Sequence, residues 1–224
     1  MIRDYFYIMR MTFSKKSLNR IFQQLFSKEI QLDGRIVEFG SKKNSSKSFI
    51  NYLQIIDKEN VVYADKQDDQ DSNIKNENLE KKLSFEDKSF DNVVVFNVLE
   101  HVYDIDNAIK EIYRSLDLKG KIVGSTPFIH RVHYAPEDFN RYSEQFFNKL
   151  LKQNNFENIF IKEYGFGPFT AAYAMIFDYT KYIPFLNNVI LTFSILIDLT
   201  IGLFTKTDLK KIYPISICFS ATKG

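Results

Sequence analysis

The chain has 224 residues, with 30 Lys and Arg against 28 Asp and Glu, one Cys and no Trp. A net charge of +2 argues against a general nucleic-acid binder. The single Cys218 excludes an internal disulfide framework, and a hydrophobic content of 45 % excludes disorder. Eight glycines are about half the usual share of roughly 7 %.

In chain order, residues 1–11 mix charges and aromatics without an apolar run of signal-peptide length. An amphipathic helix follows, capped by Ser14 or Ser17, with Leu18, Ile21, Phe22, Leu25 and Phe26 at helical spacing. It is expected to pack on the body as an N-terminal helical cap over 1–33. From Gly34 the pattern alternates. A buried strand over 35–39 is followed by helix-like apolar spacing over 48–56 and a strand over 61–64. Residues 66–78, with Ile74 as their only apolar member, read as a solvated loop. Next come a strongly apolar strand over 91–97, a helix over 105–116 closed by Lys119 and Gly120, and a strand from 121 to 125. A helix over 137–153, introduced by Pro136, a strand over 157–164 and a last strand over 213–222 complete the series. Strand–helix alternation predicts an α/β fold with a mostly parallel sheet and helices on both faces. Such sheets bind ligands beyond the carboxyl ends of their strands, so the loops after Phe39, Ala64, Asn97 and Ser125 are where chemistry is sought.

Those loops carry an ordered series of motifs: Ile36-Val37-Glu38-Phe39-Gly40-Ser41, then Asp65, then the stretch from Asn78-Leu79-Glu80 to Phe90-Asp91. Val98-Leu99-Glu100-His101-Val102, Arg114-Ser115-Leu116 with Lys119-Gly120, and Ser125-Thr126-Pro127 follow. His133, Pro136, Asp138, Phe139, Arg141 and Tyr142 close the series. In order and spacing it resembles the class I S-adenosylmethionine-dependent methyltransferases, of the methyltransferase type 11-like group. The resemblance implies a Rossmann-like fold with a seven-stranded sheet, formed by 34–164 and 210–224, and an apolar helical insertion over 165–209 before the last strand. It implies S-adenosylmethionine as cofactor, contacted by Glu38, Gly40, Ser41, Asp65, Asn78, Leu79, Asn97, Val98 and His101. It places an acceptor near His130, Asp138, Arg141 and Tyr142, and it departs from the family where the second and third turn glycines are Lys42 and Asn44.

Residue chemistry is consistent with that reading. Gly40 supplies the flexible residue of a tight turn. Asp65, 25 residues after Gly40, has the spacing of an acid that accepts from ribose hydroxyls, although an isolated Asp after a strand also serves as a loop or cap residue. The Asn78 carbonyl can accept from an adenine amino group. Lys42 either contacts the cofactor carboxylate or points to solvent, and Asn44 tolerates positive φ. Methyl transfer needs chiefly an aligned nucleophile, with a base where the acceptor is a hydroxyl. His133 is the candidate base; His101 can instead orient loops and His130 can be a surface residue. Asp138 and Arg141 also read as a helix-start acid with a local ion pair. Three His and one Cys lack metal-ligand spacing.

Residues 183–204 contain Asp198 as their only charge. At about 1.5 Å per residue they are long enough to cross a bilayer. A single crossing would separate the last strand from its sheet, which leaves a buried helix, a hairpin dipping into the bilayer or an in-plane interfacial helix. Asn187, Ser194 and Asp198 form a narrow polar stripe, and Lys181, Lys206, Lys210 and Lys211 flank the run as interface anchors do.

The expected function is transfer of a methyl group to a small-molecule or lipid-linked saccharide acceptor, by O-methylation, in the cytoplasm or at the cytoplasmic face of a membrane contacted through 166–204. The rivals are a scaffold protein with a decayed cofactor loop and a nicotinamide-dependent oxidoreductase.

Overall fold

A computed structural model describes residues 2–43, 45–56, 58, 60–66, 74–134 and 137–224. Asn44 and Pro136 lie outside the described residues. The elements are α1 (Ile2–Phe13), α2 (Leu18–Ser27), β1 (Gln31–Leu32), β2 (Ile36–Phe39), β3 (Gln54–Ile55), β4 (Val61–Asp65), β5 (Ile74–Asn76), β6 (Phe90–Phe96), a 3-10 turn (Leu99–His101), α3 (Ile105–Ser115), β7 (Leu116–Pro127), α4 (Glu144–Gln153), β8 (Phe156–Tyr164), α5 (Pro168–Thr180), α6 (Pro184–Thr205), α7 (Leu209–Ile212) and β9 (Ser216–Lys223).

Seven strands form one sheet in the order β5-β4-β2-β6-β7-β9-β8. The first five are parallel, whereas β9 runs antiparallel to both β7 and β8. Alternation along β6 explains why its DNVVVFN run is apolar throughout. Val93 and Val95 pack under α3 and α4, with Ile109, Ile112, Phe147 and Leu151. Val94 and Phe96 point to the other face, against Phe26 of α2 and the Phe49, Ile50 and Leu53 loop. A strand buried on both faces loses the polar alternation of a one-sided sheet. A third cluster joins α1, α2, α5 and α6 through Ile8, Ile21, Phe22, Tyr173, Phe177, Leu191 and Ile195.

Four expected elements differ from the structure. Residues 48–56 form turns and β3 rather than a helix. The apolar residues are buried as their spacing implies, but Gln54 and Ile55 pair in parallel with Gln31 and Leu32, leaving too few residues for a helix nucleus. Within 66–78, residues 67–73 lie outside the described residues, and Ile74–Asn76 is an edge strand paired with β4 rather than loop. α3 ends at Ser115, one residue short of the expected 116, because Leu116 pairs with Phe90 as β7 begins, and Lys119 and Gly120 lie within β7. α4 starts at Glu144, where the Ser143 hydroxyl accepts from the Phe146 N–H at 3.3 Å. Upstream, Phe139 and Asn140 donate their backbone N–H groups to the Glu100 carbonyl instead of to a helix. Ser17, not Ser14, caps α2.

Candidate active site

The carboxyl ends of β2, β4 and β6 open into a cleft of about 640 Å³. Gly40, Asp65, Asn78, Leu79, Asn97, Val98, His101, His130 and His133 all line it. Gly40 sits at φ +76°, and a Cβ there would lie 2.5 Å from Val98 Cγ2, so only glycine lets the chain turn under that side chain. Its N–H donates to the Ala64 carbonyl at 2.8 Å, which ties the β2 and β4 ends together. Asp65 Oδ1 accepts from the Lys66 N–H and Asn78 Oδ1 from the Glu80 N–H, at 2.7 and 2.9 Å.

Glu38 and Ser41 are not among the lining residues. The Glu38 carboxylate is buried beneath the turn, accepting from the Ser48 hydroxyl and the Phe49 N–H, both at 2.6 Å. Burial pushes this carboxyl up to about 7, against those hydrogen bonds and the nearby Arg20. It shapes the cofactor turn from behind. Ser41 is buried too, with no partner for its hydroxyl among the described residues.

Asp138, Arg141 and Tyr142 likewise stand behind the cleft rather than in it. Arg141 Nη2 donates to Asp138 Oδ2 at 2.6 Å, and the same oxygen accepts from the His133 N–H at 2.8 Å. The guanidinium holds the Asp138 carboxyl far below the usual carboxylate range. This pair pins the His133 backbone. The Tyr142 ring is buried, stacked on Phe146 at 4.6 Å. Three residues expected to touch an acceptor thus position the segment that does reach the cleft.

The histidines cluster there. His101 and His133 meet edge to face at 4.9 Å between ring centres, and His130 lies 5.0 Å from His133. Burial is the main cause that lowers the His133 and His130 pKa values, and Arg141 lowers both further. His133 is therefore neutral near pH 7, as a base must be. Behind His101 lies Glu100, fully buried, with neither carboxylate oxygen hydrogen-bonded among the described residues. Burial pushes it up to about 8. Spacing gave no sign of a metal site, but Glu100, His101 and His133 present donor atoms within 4.8 Å of one another.

Sequence reasoning missed the contribution of α2. Asn19 and Arg20 line the cleft, and Gln23 exchanges two hydrogen bonds with the Asn97 amide, at 2.6 and 2.9 Å. Asn97 itself sits at φ +54° at the end of β6. The available signal was a pair of amides, Asn19 and Gln23, one turn apart on a helix face that is otherwise apolar. Lys66, Glu77 and Glu80 also line the cleft. Glu77 is held by the hydroxyl and N–H of Ser84.

A smaller cavity of about 150 Å³ shares Ser17, Asn19 and His130 with the cleft and continues beneath Ala174, Phe177 and Asp178 of α5. The insertion beyond it has inverted polarity. On α6, Asp198 is 1 % exposed and Asn187 0 %, whereas Phe185, Leu203 and Phe204 are 78 %, 81 % and 85 % exposed. Asp198 caps α5 by accepting from the Phe169 and Thr170 N–H groups and the Thr170 hydroxyl, at 3.0, 2.8 and 2.8 Å. Asn187 Oδ1 accepts from the Tyr173 and Thr180 hydroxyls at 3.0 and 2.7 Å. On the side toward α1, Thr12 donates to Asn188 at 2.9 Å. The polar stripe of α6 is turned inward. Only 22 % of its most apolar 18-residue stretch is buried, which sets aside the buried-helix alternative.

The family described as methyltransferase domain matches residues 45–124. No curated protein matches the sequence. Among solved structures, Haemonchus contortus phosphoethanolamine N-methyltransferase 2 in complex with S-adenosyl-L-methionine superposes with a TM-score of 0.54 at 15 % identity, covering 90 % of this chain and 52 % of that one. The chain thus spans about half the length of that enzyme. A possible histamine N-methyltransferase from Thermotoga maritima gives 0.54 at 14 % identity, covering 91 % and 89 %. The cyclase SpnF gives 0.57 at 13 % identity, covering 93 % and 83 %. The sheet order is that of these solved structures, and residues 45–124 match the methyltransferase domain family, so the chain has the fold of class I methyltransferases.

Proposed function

We propose that this protein transfers a methyl group from S-adenosylmethionine to a hydroxyl of a lipid-linked saccharide or similar small acceptor presented at a lipid surface. The observation that carries the reading is the cavity beneath α5, which shares the Ser17, Asn19 and His130 wall with the cleft, together with the apolar face that α6 exposes. The cleft residues fit the cofactor. Asp65 offers a carboxylate for vicinal hydroxyls, Asn78 and Leu79 flank a base, and the tight turn at Gly40 lets backbone approach the ligand. The cofactor supplies an already activated methyl group, so the chain chiefly aligns the acceptor and excludes water. Neutral His133 takes the acceptor hydroxyl proton, and the Asp138–Arg141 pair holds its backbone in place.

The membrane part rests on α6 and its surroundings. Tyr182 is 69 % exposed between Lys15 and Lys181, whose ammonium groups lie 5.6 and 5.5 Å from its ring centre. Lys206, Lys210 and Lys211 follow the other end of the helix. Aromatic and cationic anchors at both ends of an exposed apolar helix suit an in-plane position against anionic lipid.

Calorimetry tests the cofactor reading. S-adenosylmethionine and its demethylated product are expected to bind, and Asp65→Ala to weaken both about tenfold or more; absence of binding at millimolar ligand would sink the enzyme reading. Flotation with anionic vesicles tests the surface. The protein is expected to float, and to stay at the bottom once Phe185, Leu203 and Phe204 are replaced by Ser. A wild-type protein that never floats would remove the membrane from the proposal.

A further inference from the structure

We propose that Glu100, His101 and His133 form a binding site for a divalent first-row transition ion on the floor of the cleft. Three observations meet there. Glu100 is 0 % exposed, and both of its oxygens lack a hydrogen-bond partner among the described residues. A carboxylate so placed leaves a large desolvation cost unopposed unless a cation or a proton answers it. Second, His101 is oriented as a ligand. Its Nδ1 contacts the Glu137 carbonyl, which can only accept, so the proton sits on Nδ1 and Nε2 keeps its lone pair. That bare nitrogen lies 3.9 Å from Glu100 Oε1. A carbonyl behind a metal-binding imidazole is the usual device for fixing its tautomer. Third, His133 brings the remaining donor, all three lying within 4.8 Å of one another. Its Nδ1 is buried without a hydrogen bond among the described residues, 3.3 Å from Asp138 Oδ2.

Ions of this class bind nitrogen and oxygen donors at about 2.1 Å. Drawing these groups in therefore takes roughly 1 Å of side-chain movement. Two imidazoles and one carboxylate select zinc, iron, cobalt, nickel or manganese over magnesium or calcium, which prefer all-oxygen shells. Asp138 is already neutralised by Arg141, so a divalent ion would take Glu100 as its one anionic ligand, in exchange for the proton that burial favours on that carboxyl. Because His101 and His133 line the cleft, the open coordination positions face the ligand space. An acceptor oxygen can occupy one of them, an extension that rests on the proposed function and in which the ion, rather than a free His133 base, would ease loss of the hydroxyl proton.

The test uses untagged full-length protein stripped with EDTA and titrated with cobalt(II), without cofactor. One equivalent is expected to bind, with the intense visible absorption of low-coordinate cobalt, and zinc(II) is expected to displace it. Glu100→Gln, which keeps the shape and removes the charge, and His101→Ala are each expected to weaken binding about tenfold or more, with thermal unfolding confirming that each variant is folded. Cobalt binding unchanged in folded Glu100→Gln, or no stoichiometric binding to wild-type protein at millimolar metal, would overturn the proposal. The cofactor reading is scored separately: binding of S-adenosylmethionine without cobalt binding defeats only the metal site, and the reverse defeats only the methyltransferase.

Discussion

α3 and α6 obey opposite rules in one molecule. α3 buries Ala108, Ile109 and Ile112 against the sheet and turns Asp106 and Lys110 to water. α6 buries Asn187, Ser194 and Asp198 and turns Phe185, Leu203 and Phe204 outward. Both arrangements answer the same demands, since the Asp198 carboxylate and the Asn187 carbonyl oxygen are paired where they are buried and apolar surface seeks an apolar neighbour. The difference teaches that the outer face of α6 lies open and apolar, as the proposed lipid contact requires. An exposed apolar patch this large on a helix marks an interaction surface.

The largest expected effect probes the conventional side of this contrast. Ile109→Ala removes a fully buried side chain and is expected to cost about 3–4 kcal/mol in denaturant unfolding. On the inverted helix the polar residue carries the comparable role. Asp198→Ala leaves the Phe169 and Thr170 N–H groups at the start of α5 without their acceptor, and about 3 kcal/mol of destabilisation is expected. A loss below 0.5 kcal/mol would mean that water or another group replaces the carboxylate, and the inward polar stripe would lose its structural meaning.

A pH series sharpens the comparison between Asp198, which answers helix N–H groups, and Glu38, whose hydrogen bonds do not offset its burial. The folded Glu38 carboxyl is raised to about 7 from an ordinary 4.5, so its contribution to stability is full below pH 4.5 and is lost as pH rises through about 7. Glu38→Gln is therefore expected to stabilise the protein by about 2 kcal/mol at pH 8, with the gain vanishing near pH 5. A pH-independent difference would place the effect in the turn rather than in the charge. The smallest effect belongs to the outer face of α6: Leu203→Ser with Phe204→Ser is expected to change stability in water by about 0.5 kcal/mol or less, although the same change at Ile109 would be severe. A large loss would show that this face is covered by the protein's own chain.

Much of the site was legible because glycine turns and strand-end acids leave local traces. Gly40, Asp65, Asn78 and Asn97 each follow or border a strand that periodicity locates, and they converge once those strands are adjacent. The motif position of Glu38 resembles a ligand contact, whereas its burial outside the cleft lining depends on Ser48 and Phe49, ten and eleven residues on. Asp138 and Arg141 form the local ion pair that their spacing allows, but that spacing says nothing about which side of a loop the pair occupies, and they do not line the cleft. The α2 amides were missed because their partner, Asn97, lies over seventy residues away.

Local pattern determined the strands, most of the helices and the loops that hold ligand-type residues, since hydrophobic periodicity and turn chemistry act between near neighbours. Only the tertiary structure decided which groups are buried together. It turned the one charge of α6 inward as a cap, placed Glu100 behind His101 without a hydrogen-bond partner among the described residues, and set the cleft beside the cavity beneath α5. Those outcomes depend on desolvation and on contacts between segments far apart in the chain, and neither is a property of any single stretch of residues.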